Sequence, residues 1–119
     1  MKDFRQLSVW EKSHALTLKI YGITTHFPKE ELYGLTSQIR RSSASIPTNI
    51  AEGCGRNSDT EFCRFLVIAM GSASELEYLL QLANDLNYIK MSDYKELTID
   101  VVEIKRMLSS LIQKLKAEG

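Results

Sequence analysis

Four successive stretches of helical periodicity, short polar connectors between them, and no useful run of period-two alternation predict an all-α fold. Helices of similar length joined by short connectors favour an antiparallel up-down-up-down four-helix bundle. The first stretch places Val9, Ser13, Leu16, Ile20, Ile23 and Phe27 at spacings of four and three, which is one face of a helix. Pro28 closes it, because the residue before a proline is pushed out of helical geometry.

The second helix is predicted to begin near Lys29 or Glu30, where Glu30 and Glu31 suit the positive end of the helix dipole. Gly53, Gly55 and Asn57 end it. Leu35, Ile39, Ser42, Ile46, Ile50 and Gly53 share one face. Gln38, Arg41, Ser45, Asn49, Glu52 and Arg56 form a polar stripe on a neighbouring one. A helix that only filled a core would not need that stripe, so something must satisfy it. Pro47 falls within this helix and leaves the carbonyl of Ser43 without its helical donor. A kink that wraps the helix around its neighbours is the structural reading, and Ser42, Ala44, Ala51 and Gly53 allow close approach.

Ser58 and Glu61 form a capping box before the third helix, predicted from Asp59 to about Asn87. Its inner face carries Phe62, Phe65, Leu66, Ala69, Ala73, Leu76, Leu80 and Ala83. Asp93 with Glu96 gives a second capping signature. Leu97, Val101, Ile104, Leu108, Leu111 and Leu115 then follow a period of about 3.5 residues, as in bundles and coiled coils. Two further stripes exceed what a lone bundle needs: Val67, Met70 and Tyr78 on the third helix, and Trp10, His14, Thr17, Tyr21 and Thr24 on the first. They predict a subunit interface.

At 119 residues the chain is expected to be one domain, 1–119. Fifteen basic and fifteen acidic side chains cancel, so no global field favours a polyanion. The balance is uneven, however: residues 1–64 hold nine bases and seven acids, and residues 65–119 hold six and eight. A local basic patch is compatible with this. No apolar run is expected to span a bilayer and no signal peptide opens the chain, which predicts a cytoplasmic protein without a membrane partner.

The chemistry-bearing residues are few. His14 and His26 lie too far apart for a helical metal pair, Cys54 and Cys63 have no ligand spacing, and Glu-x-x-His is absent, so no metal or cofactor is expected. Glu52 as an acid and His14 as a base lack any nucleophile, and Gly53-Cys54-Gly55 reads as a helix stop rather than a phosphate loop. No catalytic residues are assigned. Arg40 and Arg41 point about 100° apart and form no clamp. One of them is expected to pair with Glu75 or Glu77. Gln38, Arg41, Asn49, Glu52 and Glu75 are assigned to a structural polar stripe, with Glu52 and Arg56 as an i,i+4 pair. Lys12, Lys19, Arg40, Arg56 and Arg64 are the candidates for a phosphate-contacting face.

The strings FRQLSVWEKSHAL, YGLTSQIRRSSASIPTNIAEGCGR and FLVIAMGSASELEYLL, with the closing heptad, resemble the four-helix bundle family encoded in intervening sequences of bacterial 23S ribosomal RNA genes. Gln38 to Arg41, Asn49 to Gly53, Arg56, Gly71, Ser72 and Glu75 to Glu77 occupy the motif positions. The resemblance implies an antiparallel bundle that assembles as a homopentamer. That family is in turn similar to the accessory bundle subunit of diversity-generating retroelements, a pentamer that contacts nucleic acid and a reverse transcriptase. The expectation is therefore a non-catalytic homo-oligomer that binds RNA or a ribonucleoprotein through repeated basic groups. The alternative is a protein-interaction scaffold without nucleic acid.

Overall fold

The structure, a computed structural model, describes residues 2–118; Met1 and Gly119, the ends of the expected domain, lie outside them. Four helices follow one another: α1 (Ser8–Thr24), α2 (Leu35–Cys54), α3 (Asp59–Asp85) and α4 (Met91–Glu118). Short 3₁₀ turns at Phe4–Gln6 and Lys29–Glu31 lead into α1 and α2, and no strand occurs among the described residues. The described chain measures 46 × 23 × 20 Å.

The helix starts explain two corrected boundaries. Lys29, Glu30 and Glu31 form a 3₁₀ turn rather than the first turn of α2. Glu31 instead reaches forward, and its carboxylate accepts the Leu35 N–H at 3.1 Å and the Tyr88 hydroxyl at 3.2 Å. It thereby satisfies one orphan donor of α2 and ties that connection to the turn before α4. The fourth helix begins at Met91, not Asp93, with the Tyr94 N–H bonded to the Lys90 carbonyl. The third starts as expected, the Ser58 hydroxyl accepting from the Glu61 N–H at 3.2 Å. It ends at Asp85, after which Asn87 takes a positive φ of 61°, a conformation asparagine tolerates better than most residues.

Each helix turns its predicted apolar stripe inward. Leu16, Ile20, Ile39, Ile46, Ile50, Leu66, Leu76, Leu80, Leu97, Ile104 and Leu108 are fully buried in one cluster. Ser13, Thr17, Thr24, Ser42 and Ser43 are buried with them, their hydroxyls bonded to backbone carbonyls of the preceding turn. Pro47 is buried inside a continuous α2. The packing runs α1 to α2, α2 to α3, α3 to α4 and α4 back to α1, with α2 against α3 the most extensive seam and α1 against α4 the thinnest. Among the described residues the diagonal pairs, α1 with α3 and α2 with α4, make no close backbone approach.

Cross-helix pairs set the relative heights. Thr17 meets Ser43 while Thr24 meets Arg40; Arg41 meets Glu75 while Ser45 meets Ser72; Lys12 meets Asp100 while Lys19 meets Glu96. Gly53 lets α2 approach α3, since a Cβ there would stand 2.8 Å from a ring carbon of Phe62.

One expectation about α3 is corrected. By length and composition it qualifies as a membrane span, with an 18-residue window of mean hydropathy 1.2. Its character follows from burial of one face against α2 and α4. Glu75 and Glu77, both within the helix, are held by Arg41 and Lys105.

Candidate interaction surfaces

The five candidate phosphate-contacting cations do not form one patch. Lys12 and Lys19 face α4. The Lys19 ammonium donates to Glu96 at 2.9 Å and to Asp100 at 3.0 Å, and the Lys12 ammonium lies 3.5 Å from the other Asp100 oxygen. The hydrogen bond to Glu96, then that to Asp100, raises the Lys19 pKa above its ordinary value. These ion pairs brace the thinnest seam of the bundle.

Arg40 lies elsewhere, in the groove between α1 and α2. Its Nε donates to the Thr24 hydroxyl at 2.8 Å, and its guanidinium sits 4.9 Å from the centre of the Tyr21 ring. It has no carboxylate partner among the described residues. Arg56 and Arg64 are brought together: their guanidinium carbons lie 4.7 and 5.3 Å from the centre of the buried Phe65 ring. Arg64 also lies 3.4 Å from a Glu61 oxygen.

The polar stripe of α2 runs along its seam with α3. Asn49 donates to the Ser45 carbonyl at 2.8 Å, and the Ser45 and Ser72 hydroxyls are 2.8 Å apart. Arg41 donates to Glu75 at 3.1 Å, the expected pairing. Gln38, Arg41, Glu52 and Glu75 are nevertheless exposed. The centre of the stripe and the Arg41–Glu75 pair at its margin are satisfied within the chain. The Glu52–Arg56 pair does not form; Arg56 covers Phe65 instead.

The two extra apolar stripes divide. On α1, Thr17 and Thr24 are buried. Trp10 packs edge-on against Phe4 and stacks on His14. Tyr21 stays exposed, as does Leu18 at 61%. Met70 of α3 turns toward the core, whereas Val67 at 53%, Ile68 and Tyr78 at 60% stand in solvent. The structure adds Leu32 and Tyr33, the latter 94% exposed, beside Tyr21 and Arg40. Sequence periodicity misses both because they lie in the connection before α2, where no helical face exists to place them.

Chemistry finds little to work with. Among the described residues no three His, Cys, Asp or Glu side chains gather as metal ligands. Cys54 and Cys63 are buried free thiols, and burial pushes the Cys54 thiol above its ordinary pKa, away from nucleophilic thiolate. A groove of about 670 Å³ between α1 and α4 is lined by Leu18, Lys19, Ile23, His26, Tyr88, Asp93 and Glu96.

Fold and surface together define a four-helix all-α protein with exposed apolar and cationic side chains on its outward faces. Residues 5–110 match the family model of the 23S rRNA-intervening sequence protein, and the chain belongs to that family. A crystal structure of a protein with unknown function from the S23 ribosomal protein family of Bacteroides thetaiotaomicron VPI-5482 superposes with a TM-score of 0.82 at 32% identity, covering 88% of this chain and 95% of that one. No curated relative matches.

Proposed function

We propose that this protein is a non-catalytic, homo-oligomeric scaffold, a single domain over residues 1–119 folded as an antiparallel up-down-up-down bundle. The order of the cross-helix pairs supports the antiparallel reading: as α2 advances from Arg41 to Ser45, its partners on α3 retreat from Glu75 to Ser72. The observation that carries the assembly is the pair of exposed apolar surfaces on different sides of the bundle. One is Tyr21, Leu32 and Tyr33; the other is Val67, Ile68 and Tyr78. Two unlike patches suit a head-to-tail interface, which closes into a ring when the rotation permits. Five subunits is the number that the family resemblance implies, and we adopt it for the ring.

The ion pairs of Lys12 and Lys19 favour a protein scaffold over an RNA-binding one, since cations held by Asp100 and Glu96 have less charge to offer phosphate. A second reading keeps the RNA contact and confines it to Arg56 and Arg64, which flank Phe65 at one exposed corner. Five copies would repeat that corner around the ring and raise avidity for a long polyanion.

Fluorescence anisotropy with a structured ribosomal RNA fragment and a matched DNA duplex, at two salt concentrations, separates the two. Light scattering after nuclease treatment reports the assembly in the same preparation. The scaffold reading expects a multimer that survives nuclease and no salt-steep binding. Micromolar binding that falls steeply with salt, and is lost in Arg56→Glu with Arg64→Glu, would replace it with the RNA reading.

A further inference from the structure

Arg40 and Arg41 point about 100° apart around α2, yet both line one recess of about 560 Å³, together with Tyr21, Leu32, Tyr33 and Ser37. Ser37 stands one helical turn before the two arginines and reaches the same opening. The connection before α2 supplies Leu32 and Tyr33. None of the lining residues is acidic. Glu31, beside Leu32 in sequence, has its carboxylate engaged by the Leu35 N–H and the Tyr88 hydroxyl.

Arg40 is held in place before any ligand arrives. Its Nε donates to the Thr24 hydroxyl at 2.8 Å and its Nη2 to the Tyr21 carbonyl at 3.4 Å, while the guanidinium carbon lies 4.9 Å from the centre of the Tyr21 ring. The Thr24 hydroxyl is itself buried and fixed, donating to the Ile20 carbonyl at 2.7 Å. Among the described residues Nη1 of Arg40 has no acceptor, and Arg41 commits only Nη2, to Glu75 at 3.1 Å. Free N–H groups on a planar, held guanidinium match the oxygens of a phosphate group. Little side-chain freedom is lost when such a group docks.

The remainder of the recess offers flat apolar surface. Tyr21 is half-exposed, Leu32 likewise, and Tyr33 stands almost wholly in solvent. Neither tyrosine ring packs on another aromatic ring among the described residues. A planar ring stacks on such faces whatever the pattern of its edge. The volume falls within the range of about 300–1,000 Å³ usual for small-molecule sites. A polynucleotide needs a track of cations, whereas the recess holds two, one of them shared with Glu75. One phosphate and one ring are what these residues can satisfy.

We propose that the recess binds a nucleoside monophosphate, its phosphate on Arg40, Arg41 and the Ser37 hydroxyl and its base against Tyr33 and Tyr21. Tyr21, Leu32 and Tyr33 also belong to the surface assigned above to assembly, so a seated nucleotide competes with a neighbouring copy for them. That consequence rests on the homo-oligomeric reading; the site itself does not.

Isothermal titration of the full chain with adenosine, guanosine and uridine 5′-monophosphates tests the site. Wild type and Gly71→Trp are both titrated, the latter to expose the recess if copies assemble. Adenosine, inorganic phosphate and phenyl phosphate are the controls. The expected result is saturable binding of the nucleotides, about tenfold or more weaker for adenosine and for inorganic phosphate. Arg40→Met should weaken it about tenfold or more, and Arg40→Lys should not restore it, because the fork is lost. Tyr33→Ala should weaken it about fivefold or more, and so exposed a ring can be removed without unfolding the subunit. Sedimentation in saturating nucleotide should give a lower mass than without it. No binding to either protein, or binding that Arg40→Met and Tyr33→Ala leave unchanged, would overturn the site. Phenyl phosphate bound as tightly as the nucleotides would overturn the nucleotide in favour of a phosphorylated aromatic side chain. Binding with unchanged mass of a multimer would overturn the competition alone. A monomeric wild type that binds nucleotide would overturn the assembly reading and leave the site standing.

Discussion

The hydroxyl of Thr17 lies 3.1 Å from the carbonyl oxygen of Ser43, the acceptor that Pro47 deprives of its helical N–H. The same hydroxyl is 3.0 Å from the Ser13 carbonyl, so one proton is shared between an α1 and an α2 acceptor. This contact lets a buried proline persist inside α2. Thr17→Val should cost about 1–2 kcal/mol, from a buried carbonyl left unpaired. Combined with Pro47→Ala, whose amide supplies the missing donor, the cost of losing the Thr17 hydroxyl should be smaller. Urea unfolding of the four proteins in the cycle measures the coupling, and strict additivity would sink the account.

The Lys19 ammonium spans Glu96 and Asp100, and those bonds raise its pKa above 10.5. A base whose folded pKa exceeds its unfolded value contributes stability that is fully present below the unfolded value. That contribution is lost as pH rises through the folded one. Lys19→Met should therefore be less stable than wild type at neutral pH by about 0.2–1 kcal/mol, the range for exposed pairs. The gap should persist to the unfolded pKa, narrow above pH 10.5, and shrink in high salt. Thermal melts across that range test it; a gap independent of pH would assign the loss to packing of the lysine stem.

Arg41 and Glu52 lie on the exposed margin of the α2 stripe. Replacing either by alanine should change the stability of the isolated subunit by no more than about 0.5 kcal/mol. Asn49 and Ser45, half-buried and bonded to each other and onward to Ser72, should cost about 1 kcal/mol when truncated. Denaturant midpoints of the four variants should fall into those two groups.

Two glycines behave oppositely. A Cβ at Gly53 would stand 2.8 Å from a Phe62 ring carbon and 2.9 Å from the Phe65 Cβ, so Gly53→Ala should destabilise by about 1–3 kcal/mol through overpacking. A Cβ at Gly71 meets nothing within 4 Å, and Gly71→Ala should gain about 0.5–1 kcal/mol in the subunit from helix propensity. Gly71→Trp, on the exposed face of α3 between Val67 and Tyr78, should weaken assembly without unfolding the subunit. Paired melting and mass measurements check both statements.

The helices, their core faces and the capping box at Ser58 were legible in the sequence because they depend on contacts three and four residues apart. The start of α2 was not. Glu30 and Glu31 fit a first helical turn, but Glu31 works from outside the helix, on Leu35 and Tyr88. Arg41 to Glu75 was foreseeable from a polar stripe facing a polar stripe. The fate of Lys12 and Lys19 was not, since their partners lie some eighty residues away on α4 and no local pattern links them. The same limit hides Tyr33, whose exposure depends on how a connection crosses the bundle.

The central claim is that this chain assembles with copies of itself. Sedimentation equilibrium of the untagged, nuclease-treated protein at micromolar concentration tests it directly. A ring of five 13.6 kDa chains predicts a mass of about 68 kDa. A single species of 13.6 kDa at every concentration would contradict it.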